Sequence, residues 1–226
     1  MLNGTLLGAS SPVLPIDCLI LNPQASGGTR LRLVTPGTTI ILQGIRREAT
    51  VRIVEGCVCL FQQLADGRRQ ILDVLGAGRL FGNAVTDTTR CSAAALTFTQ
   101  LETIDVDSER KGVEDALRLM LHRSHEHAIL LGRKTAAEKV ATALLDLGQQ
   151  FARRSSDTRN ATTFTLYLTR ADLADWLGLT LETVSRCLHS FKRSGLITFK
   201  HPEIITIADE DALRLLAAGQ PKRALS

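Results

Sequence analysis

Hydrophobic and polar positions change their spacing twice along the chain. From about Val13 to Val106, apolar and β-branched runs such as "TTIILQ", "TVRIV", "CVCLFQQL" and "QILDVL" are separated by Gly37, Gly44, Gly56, Gly67, Gly76 and Gly78. Short runs of that composition between turn residues predict many short strands, and so a compact barrel or sandwich. In "ADGRR" (Ala65–Arg69), Asp-Gly predicts a hairpin with a type I′ loop, whose central residues need positive φ. The period then becomes helical. In "SERKGVEDALRLMLHRSHEHAILLG" the apolar positions Val113, Leu117, Met120, Leu121, Ala128 and Leu131 recur at helical spacing, interrupted by Ser124, with Gly132 as the expected stop. A narrow stripe on a long charged helix predicts a seam between two copies of the chain. The other reading is a helix lying along its own β domain.

The last stretch reads as helix, linker, two short helices, hairpin and helix. "TAAEKVATALLDLGQQF" is amphipathic through Val140, Leu144, Leu145 and Leu147, and "ARRSSDTRNATT" reads as a polar loop. "TRADLADWLGLTLETVSRCLHSFKRSG" holds two helices around Gly178, with Thr169 and Thr180 as N-caps. "LITFKHPEIITI" is two β runs around His201–Pro202, followed by a short helix from about Asp209. The expected units are 1–106, 107–133 and 134–226.

The helix beginning at Thr180 has two unlike sides. Val184, Leu188 and Phe191 fall on one, with Cys187 on its flank, and can pack on Leu173, Ala174 and Leu177 of the preceding helix. Glu182, Ser185, Arg186 and His189 fall on the other and need water or a ligand. A short helix, a glycine turn, an amphipathic helix and a hairpin together make a winged helix-turn-helix, whose second helix enters the DNA major groove N-terminus first. Arg186 then matches guanine O6 and N7, Glu182 matches cytosine N4, and Ser185 suits a base edge or a phosphate. Thr169, Arg170, Thr180, Thr183, His189, Lys192, Arg193 and Lys200 flank these as backbone contacts, which position without reading sequence.

Composition narrows the setting. The 226 residues carry a net charge of +4, with a pI of about 9.0; this permits nucleic-acid binding without requiring it. No run approaches the ~18 apolar residues of a membrane span, and the N-terminus has no basic residues ahead of its apolar ones, as a signal peptide would. A cytoplasmic location is expected. Five scattered cysteines, Cys18, Cys57, Cys59, Cys91 and Cys187, fit reduced thiols better than disulfides. No Ser/His/Asp set, carboxylate pair or metal-ligand spacing marks an enzyme.

Three pieces, "VEGCVCLFQQLADGRRQILDVLGAGRLFG", "TAAEKVATALLDL" and "LTRADLADWLGLTLETVSRCLHSFKRSGLI", resemble the CRP/FNR family of bacterial transcription regulators, and the likeness covers nearly the whole chain. The resemblance implies an α+β protein. Its parts are an N-terminal double-stranded β-roll of the cyclic-nucleotide-binding jelly-roll type, a long dimerisation helix and a C-terminal winged helix-turn-helix. Glu182, Ser185 and Arg186, as Glu-x-x-Ser-Arg, resemble the FNR/FixK branch. That implies a homodimer on inverted TTGAT-like half-sites about one helical turn apart, contact with RNA polymerase, and control of oxygen- or redox-related genes.

The sensor half departs from the family's ligand sets. In "LFGNAVTDTTRCSA", Arg90 matches the cyclic-nucleotide cassette, but Asn83 stands for its Glu, and Cys91 separates Arg90 from Ser92. Only Cys18 lies where the FNR iron–sulfur cysteines cluster, and Cys57-x-Cys59 lacks partners. No cofactor is therefore expected: neither cyclic AMP nor an iron–sulfur cluster. The alternative is a ligand- or haem-gated regulator of the same family, responding to nitric oxide or a small molecule, with His122 and His125 beside Glu126 and His127 as ligand candidates. A non-regulatory alternative is a small-molecule-binding module. Cys187 beside Arg186 is a candidate redox switch against a packing role.

Overall fold

A computed structural model describes residues 31–45, 50–82, 89–152 and 161–220. Eight strands come first: β1 (Leu31–Val34), β2 (Thr39–Ile41), β3 (Thr50–Glu55), β4 (Val58–Gln63), β5 (Arg69–Leu75), β6 (Leu80–Gly82), β7 (Ser92–Ala95) and β8 (Thr99–Ile104). They form two antiparallel sheets, ordered β1-β8-β3-β6 and β2-β7-β4-β5. Alternating side chains such as Val51, Ile53, Val58, Phe81 and Leu101 fill the roll between them.

The β4–β5 hairpin differs from its expected form. Positive φ occurs only at Gly67 (87°) and not at Asp66, so the type I′ loop is not made. Gly67 N donates to Leu64 O at 3.0 Å, and Leu64 N to Arg68 O at 2.8 Å. This is a three-residue loop in which a type I turn ends on a left-handed glycine. Asp66 instead accepts from Arg68 N at 3.1 Å. Further along, Leu60 pairs with Asp73 but Phe61 pairs with Ile71, leaving Leu72 as a bulge. The extra residue changes which face β5 presents. Val58 and Leu75 point into the roll, whereas Cys57, Cys59, Ile71 and Val74 join a second apolar cluster that extends into the helices.

Helix α1 (Arg110–Arg133) follows, and runs through Gly132, the expected stop, to an extended Lys134. Thr135 and Glu138 make a capping box for α2 (Ala136–Phe151). Then come β9 (Thr162–Thr165), α3 (Arg170–Leu177), α4 (Leu181–Arg193), β10 (Ile197–His201), β11 (Ile204–Ile207) and α5 (Glu210–Ala217). The wing is a three-stranded antiparallel sheet, β10-β11-β9. Strand β9 lies partly within the stretch read as loop, because Thr162–Thr165 finds its partner in distant β11. Leu144, Phe164, Leu173 and Trp176 share one cluster with Cys59 and Val74 of the roll. Among the described residues no helix is long and apolar enough to cross a membrane.

Candidate nucleic-acid interface

Local sequence fixes the ends of both helices of the turn. Thr169 accepts from Asp172 N at 3.0 Å, and Asp172 Oδ2 accepts from Thr169 N at 2.9 Å. Gly178 closes α3 in the left-handed region, with φ 60° and ψ 45°. Two residues on, Thr180 Oγ1 accepts from Thr183 N at 3.1 Å and starts α4. Val184, Leu188 and Phe191 are buried, as are Leu173, Ala174 and Leu177 across from them. The packing side expected from the spacing is the packing side observed.

The opposite side is open. Glu182, Ser185, Arg186, His189, Lys192 and Arg193 line one groove. Glu182 Oε1 lies 3.2 Å from Arg186 Nη2, with both side chains exposed. His189 Nδ1 lies 2.7 Å from Ser185 O, and since a carbonyl only accepts, Nδ1 carries the proton. The His189 ring meets Phe199 of β10 edge-on at 6.4 Å, and Lys192 Nζ sits 4.3 Å above the same Phe199 ring. The wing thus holds two polar groups of α4 in place. Neither Phe199 nor Leu181 was anticipated. Leu181 is 54% exposed at the first helical position, although its spacing to Val184 alone assigns it to the packed side. Its methyls are of the kind that meet a thymine methyl.

The flanking candidates divide. Lys192 and Arg193 are exposed, while Thr169 and Thr180 are exposed but committed to caps. Thr183 is half-buried with Oγ1 2.9 Å from that of Thr180. Arg170 Nη2 reaches Pro202 O at 3.4 Å, and burial pushes its pKa down, so it braces the wing turn. Lys200 lies on β10, but its side chain is outside the described part. The Cys187 thiol is half-buried, and its pKa is raised by burial, against the opposing effect of Arg186. Its environment favours the thiol over the thiolate.

The stripe on α1 is exposed in its middle and turned inward at its ends. Leu121 is 58% exposed; Met120, Ser124 and Ala128 are also exposed, and Leu117 is half-buried. Val113, read from the spacing as part of the seam, is instead buried within its own chain, where it lines a cavity against the roll. Leu131 likewise packs within its own chain, against the turn between α3 and α4: its Cδ2 lies 3.2 Å from the point where a side chain on Gly178 would begin. Leu119 and Ile129 extend the exposed apolar surface.

The sensor candidates stand apart from one another. His122, His125 and Glu126 are exposed, while His127 turns inward, its ring stacked on Trp176 at 6.4 Å. Among the described residues no three His, Cys, Asp or Glu side chains converge as metal ligands. Burial pushes the Cys59 thiol up to about 11 and raises that of Cys57 further. Cys91 and Arg90 border the roll cavity of about 250 Å³; Cys18 and Asn83 lie outside the described residues.

Comparisons with known proteins agree with this arrangement. Residues 31–112 match the cyclic nucleotide-binding domain and residues 138–216 the Crp-like helix-turn-helix domain. The chain is 38% identical over 176 residues to the nitrogen fixation regulation protein FixK of Azorhizobium caulinodans, covering 73% of this chain and 69% of that protein. It is 32% identical over 185 residues to the transcriptional activator protein FnrL of Cereibacter sphaeroides, covering 76% and 74%. The solved structure of FixK2 from Bradyrhizobium japonicum superposes with a TM-score of 0.76 at 29% identity, over 87% of this chain and all of that one.

Proposed function

Because this chain belongs to the CRP/FNR family of DNA-binding transcription regulators, we propose that it works as a homodimer on an inverted-repeat operator of the TTGAT type, read by Glu182, Ser185 and Arg186. The open, wing-braced side of α4 carries the proposal. Arg186 donates two parallel hydrogen bonds to guanine, Glu182 accepts from cytosine, and Leu181 packs on a thymine methyl. Lys192 and Arg193 take phosphates. The exposed Leu121, Ala128 and Ile129 suit the same helix of a second copy, and a two-fold dimer matches an inverted repeat. A cytoplasmic setting, contact with RNA polymerase and oxygen- or redox-related targets complete the reading. Support for these comes from the Glu-x-x-Ser-Arg resemblance and from relatives described as a transcriptional activator and a nitrogen fixation regulator.

The test is operator binding across a salt series. Arg186→Ala should lose about 1–3 kcal/mol of base discrimination. Lys192→Ala should weaken binding to all sequences and lower the salt slope by about 1. An Arg186→Ala protein as tight and selective as wild type would overturn the assignment.

A second reading rests on the roll cavity. Its wall is mostly apolar, with Leu60, Phe81, Ala93, Val113, Leu117 and Met120 among the lining side chains. Thr89 Oγ1 is committed to the carbonyls of Leu42 and Ile45, leaving Arg90 as the cation among the described lining residues. Such a wall suits a small apolar effector better than a cyclic nucleotide, whose ribose and phosphate each need polar partners. A ligand-dependent melting shift supports gating by an effector, a Soret band supports haem, and tight operator binding by purified, ligand-free protein argues against both.

A further inference from the structure

Local residues close helix α3 at both ends. Its N-terminus is closed by the Thr169–Asp172 capping box and its C-terminus by Gly178. Yet β5, the edge strand of its sheet, grips it at both ends. Arg69 Nη2 donates to Asp172 Oδ1 at 2.5 Å in the first turn, and Arg69 Nε to Asp175 Oδ2 at 2.9 Å in the last. Gln70 Nε2 donates to Asp175 O at 2.7 Å and to Trp176 O at 3.3 Å, carbonyls near the helix end that lack intrahelical donors. The Arg69 guanidinium also lies 5.7 Å from the centre of the Phe61 ring on β4. Beneath these bonds, Cys59, Ile71 and Val74 pack in one cluster with Leu173 and Trp176. Together these bonds and the packing beneath them fix where the helix points.

What α3 does, α4 must follow. Leu173 and Leu177 share their core with Val184 and Leu188, and the Gly178 turn is closed by Leu179 N donating to Ala174 O at 3.0 Å. Resting on the reading of α4 as the DNA reader, we infer that the Arg69–Gln70 pair positions that reader: held by β5, α3 sets the angle at which each α4 of a dimer meets its half-site. Arg69 and Gln70 are positioning residues and touch no DNA. Burial opposes ionisation of Asp172, but hydrogen bonds from Thr169 and Arg69 outweigh it and hold the carboxyl below its ordinary range. The acceptor therefore stays charged at neutral pH.

Positioning is separable from reading by changing the geometry of the DNA. Arg69→Leu leaves the α3 capping box intact. Binding is measured to an operator of cognate spacing, to operators with one base pair added or removed between half-sites, and to a single half-site. Arg69→Leu should bind the cognate operator roughly tenfold more weakly, within the usual range of coupling between sites, and should lose preference for cognate over altered spacing. Its single half-site affinity should match wild type. Asp175→Asn should behave alike, and the double variant should be no weaker than Arg69→Leu alone, because both remove one interaction. Wild-type affinity and spacing preference in Arg69→Leu would overturn the inference, as would an equal loss on operator and half-site. Should wild type bind no operator of any spacing, the reading of α4 fails while the grip is still judged without DNA. Amide exchange in Arg170–Leu177 should then be faster in Arg69→Leu, and unchanged exchange would sink it.

Discussion

Arg186 and His127 show how differently two polar side chains on neighbouring units are held. The Glu182–Arg186 pair is exposed, one turn apart on α4, and an exposed pair of that kind stabilises the fold by about 0–1 kcal/mol. The fold barely needs it. His127 is the reverse case. Its Nε2 is buried without a hydrogen-bond partner, as is Trp176 Nε1 beside it. Burial pushes the His127 pKa down; Asp73 opposes this, while Arg123 and Lys139 reinforce it. The native chain consequently resists the proton that the unfolded chain accepts near a pKa of about 6.5. Below that pH the unfolded state binds more protons, so stability should fall as pH drops from 7 towards 5. Replacing His127 with Phe keeps a ring on Trp176 and removes the titration. Urea unfolding across that range should show a shallower acid loss in His127→Phe, and parallel curves for the two proteins would refute the assignment.

At the scale of elements, the turn between α3 and α4 shows why so much of the reader was legible in the sequence. Thr169, Gly178 and Thr180 act through bonds to residues within five positions, and such local chemistry is written in local sequence. Gly178 holds a left-handed conformation that costs other residues about 1–2 kcal/mol. Gly178→Ala should lower stability by that amount in thermal melts, and a shift below half that value would show that the turn relaxes. The elements that were not legible depend on distant partners. Strands β1, β6 and β7 are short, and β8 pairs with β1 and β3, both distant in sequence; "TTFT" becomes β9 only beside β11. The bulge at Leu72 is equally silent in "QILDVL", yet it turns both Ile71 and Val74 towards the helices. Val113 and Leu131 carried the right period for α1 but could not say whose core they enter. Leu181 carried the period of a buried residue and yet is exposed.

Across the whole molecule, the roll and the DNA-reading unit meet as one packed body. Arg123 on α1 binds Asp73 of β5 through Nη2 at 2.5 Å and Asp146 of α2 through Nη1 at 2.6 Å. The three side chains are only 18%, 14% and 23% exposed, and Gln150 adds bonds to Val74 O and Gly76 N at 3.1 Å each. By contrast Arg118, on the same helix, pairs with Glu114 at 74% and 58% exposure. Removing one partner from a fully buried set costs about 3–5 kcal/mol. This set is part-buried and Arg79 stays 3.6 Å from Asp73, so the loss should fall below that but above the about 0.3–0.5 kcal/mol of an exposed i,i+4 pair. Arg123→Met should therefore destabilise more than Arg118→Met. The chain's one tryptophan, Trp176, is buried where these units join, so its fluorescence reports the junction while far-UV circular dichroism reports all helices and strands. In wild type the two denaturant transitions should coincide, because one apolar cluster spans both units and they unfold together. In Arg123→Met the tryptophan transition should move to lower denaturant than the dichroism transition, as the junction opens before its units melt. Coincident transitions in both proteins, with equal losses from Arg123→Met and Arg118→Met, would mean that packing alone joins the units and that the ion set at their boundary is dispensable.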